Sequence, residues 1–236
     1  KEWIFQNHQK AIQNALSVVQ IENEPDTRVI RQPPRRSSSE KRLELLDSIS
    51  RVQRQFFQSE SKEVVFGGLL DALLELAESE YGFIGEVKYQ DDGTMYLQTH
   101  AITDISWDGA TKKLYEDNVQ QGLKFFNMST LFGKVMTDQV TVVANCPAKH
   151  PSAGGIPKGH PPLNHFLGVP FFRTGGKMNG MVGISNKPGG YSQADVDFLE
   201  PFTVTCSNLI HAYVQMQQND ELISTLEEKV KERTSE

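Results

Sequence analysis

The sequence predicts an α+β protein, with a central antiparallel sheet and helices on its faces. Two pairs of strand-like runs are each joined by a short turn segment, which is the pattern of a β-hairpin. The first pair, 83–89 and 96–102, flanks an Asp-Asp-Gly turn, and the second pair, 166–173 and 178–184, flanks a Gly-Gly turn. Helical patterns precede the first hairpin, lie between the two and follow the second, so we expect helices to pack on the sheet.

The first 39 residues are predicted to lie outside the main domain. Residues 3–21 can form an amphipathic helix. Residues 22–39 carry prolines, many charges and few large apolar side chains, as flexible linkers do. We interpret the basic cluster there as a solvated stretch, with an electrostatic docking patch as the alternative. Residues 1–39 are therefore predicted to be an N-terminal helix followed by a basic Pro/Ser linker.

Residues 40–60 are predicted to form an incoming signalling helix. Leu45, Ile49, Val52 and Phe56 recur at intervals of four, three and four. This spacing is typical of the apolar seam of a helix that packs on a partner.

Four shorter elements complete the predicted domain around the two hairpins. A helix at 62–78 precedes the first hairpin. Two short helices, at 110–118 and at 129–137, lie between the hairpins, and Ser129 is the expected N-cap of the second. A strand at 140–144 then leads into a long proline-rich loop before the second hairpin.

The last helix is predicted to be the longest element. Ser192 can cap its start, with Asp195 as the short-armed acid of a capping box. Its expected apolar positions are Val196, Leu199, Phe202, Val204, Leu209, Ile210 and Val214.

Towards the C-terminus this apolar pattern narrows to a stripe. Leu222, Leu226 and Val230 are spaced by four residues among many charged side chains. A narrow apolar stripe on an otherwise charged helix does not pack on a globular core. The simplest partner that can bury it is the same helix of a second copy of the chain. We therefore expect residues 216–236 to be a coiled-coil linker, and the chain to form a parallel homodimer through its N- and C-terminal helices.

Composition excludes several classes of partner. The 24 lysines and arginines are outnumbered by 30 acidic residues, so the net charge of −6 gives no basic surplus for nucleic acid. Cys146 and Cys206 lie far apart and suggest no disulfide framework, which favours a reducing, cytoplasmic setting. No apolar run approaches the roughly 20 residues that span a bilayer, so no membrane insertion is expected in this segment.

Over residues 45–215 the chain resembles the GAF family of small-molecule sensor domains. The resemblance is carried by Gly-Gly-Ile-Pro-Lys-Gly-His-Pro-Pro-Leu at 154–163, Phe-Leu-Gly-Val-Pro at 166–170 and Gly-Met-Val-Gly-Ile-Ser-Asn-Lys at 180–187. It is similar to the branch found in sensor and hybrid histidine kinases. The resemblance implies a GAF domain at 61–215 that binds a small molecule between its sheet and a loop-plus-helix lid, with the output domain outside this chain.

His160 is the sharpest candidate for a ligand contact. In haem-binding GAF domains a histidine just before a Pro-Pro pair is the proximal iron ligand, and His160 fits that position by resemblance. A neutral imidazole is a sound haem ligand, and two prolines would fix its direction. The simpler interpretation, which we favour, is that the ring hydrogen-bonds the loop backbone or touches a ligand other than haem. The resemblance thus names haem as a possible cofactor without establishing one.

Apolar contacts to a ligand are expected from an aromatic wall over the sheet. The residues expected in that wall are Trp107, Phe125, Phe126, Met128 and Phe132, and Phe166 starts the strand beside the loop. Ordinary packing of the lid is the alternative for these rings. Cys146 on the same loop is a candidate ligand contact, although Pro147 follows it where bilin-binding relatives offer histidine.

A loose version of a cyclic-nucleotide signature is present. In nucleotide-binding GAF domains an Asn-Lys pair is followed by phenylalanine and aspartate, and here Asn186 and Lys187 are followed by Tyr191 and Asp195. Because the spacing departs from the family pattern, the resemblance makes a cyclic nucleotide a minor option and a loop brace the main one.

His100 is expected to be a buried histidine with satisfied nitrogens, because strand alternation points it inward. No spacing in the chain favours a metal site or a catalytic triad, so we expect no metal and no enzyme activity in this chain.

These observations predict a regulatory GAF domain that senses a small molecule, dimerises and relays a signal through coiled-coil helices. One alternative is a structural relay that binds nothing. The other is a haem-based gas or redox sensor.

Overall fold

The computed structural model describes residues 38–58, 61–104, 122–156, 160–173 and 175–234. Four expectations lie outside the described residues: the helix at 3–21, the linker at 22–39 as far as residue 37, the helix at 110–118 and the side chain of Trp107. In chain order the elements are α1 (Ser38–Gln58), α2 (Lys62–Leu76), β1 (Tyr81–Tyr89), β2 (Met95–Ile102), β3 (Lys124–Phe125), α3 (Leu131–Asp138), β4 (Val142–Ala144), a 3-10 turn (Pro147–Lys149), β5 (Phe166–Phe172), β6 (Met178–Ser185) and α4 (Gln193–Thr234).

The six strands form one sheet in the order β3-β2-β1-β6-β5-β4. Every pair of neighbours is antiparallel, and the two central strands, β1 and β6, pair from Tyr81↔Ser185 to Glu86↔Gly180. The predicted α+β class with a central antiparallel sheet is therefore confirmed.

Both predicted hairpins are present, and local turn chemistry explains them. In the first, Gly93 takes a positive φ of 82°, and the Thr94 amide donates a hydrogen bond of 2.8 Å to Asp92 Oδ1. In the second, Gly175 and Gly176 have φ of 95° and 77°. Glycine adopts these left-handed conformations without steric cost, so each turn is encoded by its own residues.

One face of the sheet is covered by α1, α2 and α4. Large aliphatic side chains of the central strands, such as Ile84 and Ile184, are fully buried against this layer. Phe66 of α2 and Phe202 of α4 are buried in the same cluster. This three-helix layer forms the first core of the domain.

The apolar seam of α1 is used inside the chain. Leu45, Val52 and Phe56 are buried in the first core, and Ile49 packs against it at intermediate exposure. The partner that the spacing predicted is therefore the pair formed by α2 and α4. A second face of α1 remains exposed and carries Leu43, Leu46 and Phe57.

Helix α4 has a packed part and an exposed part. Ser192 and Asp195 form the predicted cap, since both the Ser192 amide and its hydroxyl donate to Asp195 Oδ2, at 2.8 and 2.7 Å. The helix is packed as far as Val214, and every described residue from 215 to 234 is exposed. The prediction that Val204 faces the core is wrong: it lies two residues, or about 200°, around the helix from buried Phe202, and is exposed.

The opposite face of the sheet carries a second core, which α3 covers. Leu131, Val135 and Met136 of this helix are buried there. The predicted cap at Ser129 is wrong by one residue, because the Thr130 side chain accepts the Gly133 amide at 3.0 Å. Among the helices that the structure describes, none combines the length and apolar character needed to span a lipid bilayer.

Candidate ligand site

The second core contains a cluster of aromatic rings on a glycine floor. A Cβ atom on Gly183 of β6 would lie 2.5 Å from the ring of Phe83 and 3.2 Å from that of Phe166. A Cβ atom on Gly168 of β5 would lie 2.9 Å from Phe166 and 2.6 Å from Val135. These two glycines therefore let the rings lie directly on the strands, because any side chain there would displace them.

Two further rings enclose this floor. Phe132 of α3 lies edge-on to Phe83, with centroids 6.5 Å apart, and is 5.6 Å from Phe125 of β3. Phe83, Phe125 and Phe132 are each half-buried, whereas Phe166 is buried. We call Phe83, Phe125, Phe132 and Phe166 the aromatic cluster. Its apolar, partly accessible surface is suited to a flat or apolar molecule, which would be held by stacking and burial.

Phe126 lies outside this cluster, although it was predicted to be part of the wall. Its ring stacks on Tyr96, with centroids 5.0 Å apart, and its exposed fraction is 45%. Successive side chains of a strand point to opposite faces, so Phe125, its neighbour in β3, takes the place in the cluster. Phe83 was missed by the sequence analysis. Its signal was the alternation of β1, which sends it to the face opposite Ile84.

We call the connection between β4 and β5, residues 145–165, the flap, and the structure describes it at 145–156 and 160–165. His160 in the flap is half-buried, and its Nδ1 lies 2.8 Å from the carbonyl oxygen of Pro161. Because a carbonyl only accepts, this contact places the proton on Nδ1 and leaves the lone pair on Nε2. The ring is edge-on to Tyr81 at 5.7 Å, and the Tyr81 hydroxyl donates to the Pro162 carbonyl at 3.1 Å.

The state of the His160 ring is suited to metal ligation, but its surroundings give less support. Histidine ligands usually donate their second N–H to a carbonyl, as Nδ1 does here. The ring of His160 contacts that of Tyr81, which lies outside the aromatic cluster. Across the described ranges, no group of three His, Cys, Asp or Glu side chains is placed to hold a metal ion.

Asn186 ties the flap to the sheet. This residue is 6% exposed and has a left-handed φ of 63°, which asparagine tolerates better than most residues. Its Oδ1 accepts the amides of Asn164 and His165, at 2.8 and 3.3 Å. Its Nδ2 donates to the Pro162 carbonyl at 2.9 Å and to Glu80 Oε2 at 2.8 Å. The side chain thus braces the part of the flap that follows His160.

The next residue makes a second tie. Lys187 forms an ion pair with Asp195 in the first turn of α4, and both side chains are about four-fifths buried. Burial alone would raise the pKa of Asp195, but hydrogen bonds from Lys187 and Ser192 together lower it. The Asn-Lys pair and the later aspartate are therefore bracing groups between flap, sheet and α4.

The two cysteines lie in different environments. Cys146 is exposed at the base of the flap. Cys206 is buried in the first core, where burial raises the pKa of its thiol and disfavours the reactive thiolate. Of the two, only Cys146 is accessible to a ligand or an oxidant.

Comparison with known proteins identifies a family for most of the described domain. The model of the GAF domain family matches residues 59–211, about two-thirds of the chain. No curated protein matches the chain.

Three solved structures share the architecture. The GAF domain of a phosphoenolpyruvate-protein phosphotransferase from Coxiella burnetii has a TM-score of 0.56 at 14% identity, covering 75% of this chain and 98% of its own. The corresponding domain from Acinetobacter has a TM-score of 0.54 at 19% identity, with coverages of 74% and 96%. Free methionine-R-sulfoxide reductase from Neisseria meningitidis, solved with its substrate, has a TM-score of 0.53 at 12% identity, with coverages of 76% and 96%. At these identities the likeness establishes the fold alone.

Proposed function

The chain belongs to the GAF domain family, and on that basis we propose that it is a regulatory module that senses a small molecule and signals as a parallel homodimer. A ligand bound at the aromatic cluster under the flap would bias the arrangement of the paired α4 helices. The output domain would lie outside this chain. GAF domains are generally regulatory, and we propose that this one has no catalytic activity of its own.

The observation that carries this proposal is the exposed rod, residues 215–234 of α4. These 20 residues extend about 30 Å beyond the packed part of the helix. Met216, Ile223 and Val230 recur every seven residues, and Leu226 lies between the last two. All four are more than half exposed. Ile223 and Val230 are β-branched and Leu226 occupies the other heptad position between them, a combination that favours a parallel two-stranded coiled coil.

A physical route connects the aromatic cluster to the rod. Gly183 of β6 supports the cluster on one face, whereas its neighbours Val182 and Ile184 are buried under the helices on the other. The Ser207 hydroxyl of α4 lies 3.2 Å from the Phe172 carbonyl oxygen of β5 and 3.1 Å from Asn179 Oδ1 of β6, and its single proton can be donated to either. A ligand that moves the rings therefore acts on the same two strands that hold α4.

The coupling has a thermodynamic limit. A ligand shifts the balance between two arrangements of the paired helices only by the ratio of its affinities for them. If the chain's own rings fill the aromatic cluster in both arrangements of the paired helices, no ligand can prefer one of them. The chain would then act only as a structural relay.

Haem sensing is a second candidate, favoured by one observation. The hydrogen bond from His160 Nδ1 to the Pro161 carbonyl leaves Nε2 in the form that binds iron. Haem reconstitution followed by absorption spectroscopy tests this candidate. A Soret band that is lost in His160→Ala would support it, and a spectrum unchanged by that substitution would exclude His160 as the ligand.

Native mass spectrometry of the freshly purified protein tests the main proposal, because it reports subunit number and bound small molecules together. A dimer that carries a small molecule, lost on Phe132→Ala, supports ligand sensing. A dimer without any adduct supports the relay. A monomer at micromolar concentration would contradict both.

A further inference from the structure

A second feature lies on the opposite face of the sheet, where three aromatic rings from three elements meet. His100 of β2 stacks on Phe66 of α2, with centroids 4.6 Å apart and ring planes inclined by 21°. Tyr213 of α4 meets both rings edge-on, at 5.9 Å from His100 and 5.4 Å from Phe66. Since α4 is packed only as far as Val214, this contact holds the last turn of the helix before the rod begins.

The imidazole at this junction is buried without an aligned hydrogen bond. The His100 side chain is 5% exposed, and neither of its nitrogens has a hydrogen-bond partner among the residues that the structure describes. Its Nε2 is 3.3 Å from Oε2 of Glu86 on β1, close enough for attraction but not aligned as a donor. The expectation of a satisfied core histidine is therefore wrong, because the stack on Phe66 rather than a polar partner fixes the ring.

Charged groups of both signs lie around the ring. Glu86 and Lys88 of β1 are within 3.5 Å of each other, and Lys62 lies at the start of α2. Tyr213 of α4 contributes a phenol, whose pKa is raised by burial and by the negative charge of Glu63 on α2. Glu86 is thus the carboxylate that favours a positive charge on the ring, and Lys62 and Lys88 are the ammonium groups that oppose it.

These surroundings act on the proton equilibrium of His100. Burial lowers the pKa of its imidazole, Glu86 opposes this shift, and Lys62 and Lys88 reinforce it. Burial would raise the pKa of Glu86, but His100 and Lys88 outweigh it, so this carboxyl stays ionised near neutral pH. The packed junction therefore favours neutral His100.

We propose that His100 is a proton-operated latch that holds the end of the packed part of α4 on the sheet when neutral and releases it when protonated. An imidazolium in the stack would be a desolvated charge that Lys62 and Lys88 also oppose, and Glu86 and the stacking on Phe66 offset only part of that cost. Turning the ring out to water removes the cost and breaks its contact with Tyr213. The latch is a property of the fold and does not depend on rod pairing or on a ligand.

The direction of the pH dependence follows from the lowered pKa. A free histidine titrates near pH 6.5, so a state with His100 exposed takes up a proton at a higher pH than the packed state does. Stabilisation by the latch is full above about pH 6.5 and falls as the pH drops towards the lower pKa of the packed ring. The released state gains about tenfold in relative population for each pH unit by which the packed pKa is lowered.

Hydrogen exchange followed by mass spectrometry tests the latch. Protection of residues 205–215 is measured on the whole chain between pH 8 and pH 5.5 and corrected for the intrinsic exchange rate. We expect protection in the unsubstituted protein to fall over this range, and protection in His100→Phe, which keeps a stacking ring, to stay constant. His211→Gln is the matched control, because His211 is an exposed histidine of the same helix and should leave the fall unchanged.

A second variant keeps the proposal testable if His100→Phe does not fold. Glu86→Gln removes the carboxylate that favours the imidazolium in the packed state only, so protection should begin to fall at the same pH but should fall further, and over a wider range of pH, than in the unsubstituted protein. A nuclear magnetic resonance titration of His100 that gave a pKa of about 6.5 or higher would overturn the latch. Equal pH dependence in the unsubstituted protein and His100→Phe would also overturn it. Rod pairing is judged separately, from subunit number.

Discussion

Asn145 and Tyr191 are joined by two reciprocal hydrogen bonds between one side-chain amide and one backbone unit. The Tyr191 amide donates to Asn145 Oδ1, and Asn145 Nδ2 donates to the Tyr191 carbonyl, both at 2.8 Å. The Tyr191 hydroxyl in turn lies 2.7 Å from Ser79 Oγ, just beyond α2. Asn145 therefore ties the base of the flap to the segment that leads into α4.

Replacing Asn145 should weaken the domain. We expect Asn145→Ala to lower the free energy of unfolding by about 1–2 kcal/mol, since one donor and one acceptor of Tyr191 lose their partner. Asn145→Asp keeps the acceptor but loses the donor. Provided that its carboxylate stays hydrated, this variant should lower the free energy of unfolding by less than Asn145→Ala does. Urea denaturation measures both, and Asn164→Ala, at an exposed position, is the control. Equal stability of Asn145→Ala and the control would refute this role.

Replacing the buried Asn186 should lower the free energy of unfolding more than replacing Asn145 does. Asn186→Ala removes four hydrogen bonds and places alanine in a left-handed conformation, so we expect a loss of about 3 kcal/mol. Asn186→Gly removes the same bonds without the conformational cost, and should be about 1 kcal/mol less harmful. Urea denaturation separates the two contributions. If glycine and alanine were equally harmful, the backbone at 186 would carry no strain.

The ion pair at the start of α4 should show itself in acid. A carboxyl with a lowered pKa contributes stability that is present above the unfolded value of about 3.9 and is lost as the pH falls through the folded pKa. Asp195→Asn should therefore cost about 1 kcal/mol at pH 7, with the difference from the unsubstituted protein shrinking below about pH 4. Urea midpoints across this pH range measure it. Asp197→Asn, two residues along and exposed, controls for the loss of one negative charge near the helix start.

Two glycines should respond to alanine with opposite signs. A Cβ on Gly67 of α2 would meet no atom within 4 Å, so Gly67→Ala should stabilise the protein by about 1 kcal/mol through helix propensity. A Cβ on Gly133 of α3 would lie 2.0 Å from the Met128 carbonyl oxygen, so Gly133→Ala should destabilise it by about 2 kcal/mol or more. Thermal unfolding of the two variants tests both signs. A harmless Gly133→Ala would show that the segment before α3 can move away from the helix.

Rod pairing should depend on the exposed stripe. Leu226→Glu places a charge where two copies would meet, and we expect the dimer to dissociate while the domain keeps its thermal midpoint. Ser224→Glu adds the same charge about 200° around the helix and should leave the dimer intact. Sedimentation velocity measures both. Dissociation by the two variants alike would point to general repulsion rather than to a specific seam.

The sequence allowed the hairpins and α4 to be predicted because their signals are local. Asp92-Gly93 and Gly175-Gly176 dictate their own turns, and the cap at Ser192 lies next to the helix that it starts. The choice between Phe125 and Phe126 was not local, because β3 has two residues and its phase is set by pairing with β2. The unsatisfied nitrogens of His100 depend on rings from α2 and α4, whose approach no spacing along the chain reveals.

The burial of the α1 seam bears on where the folding unit begins. The family match starts at residue 59, yet Leu45, Val52 and Phe56 lie before it and are part of the first core. A shortened protein that starts at residue 59 would expose an apolar groove along α2 and α4 to water and to other molecules. Such a fragment is expected to aggregate. Helix α1 is therefore an integral part of the folded domain and not a separate segment that precedes it.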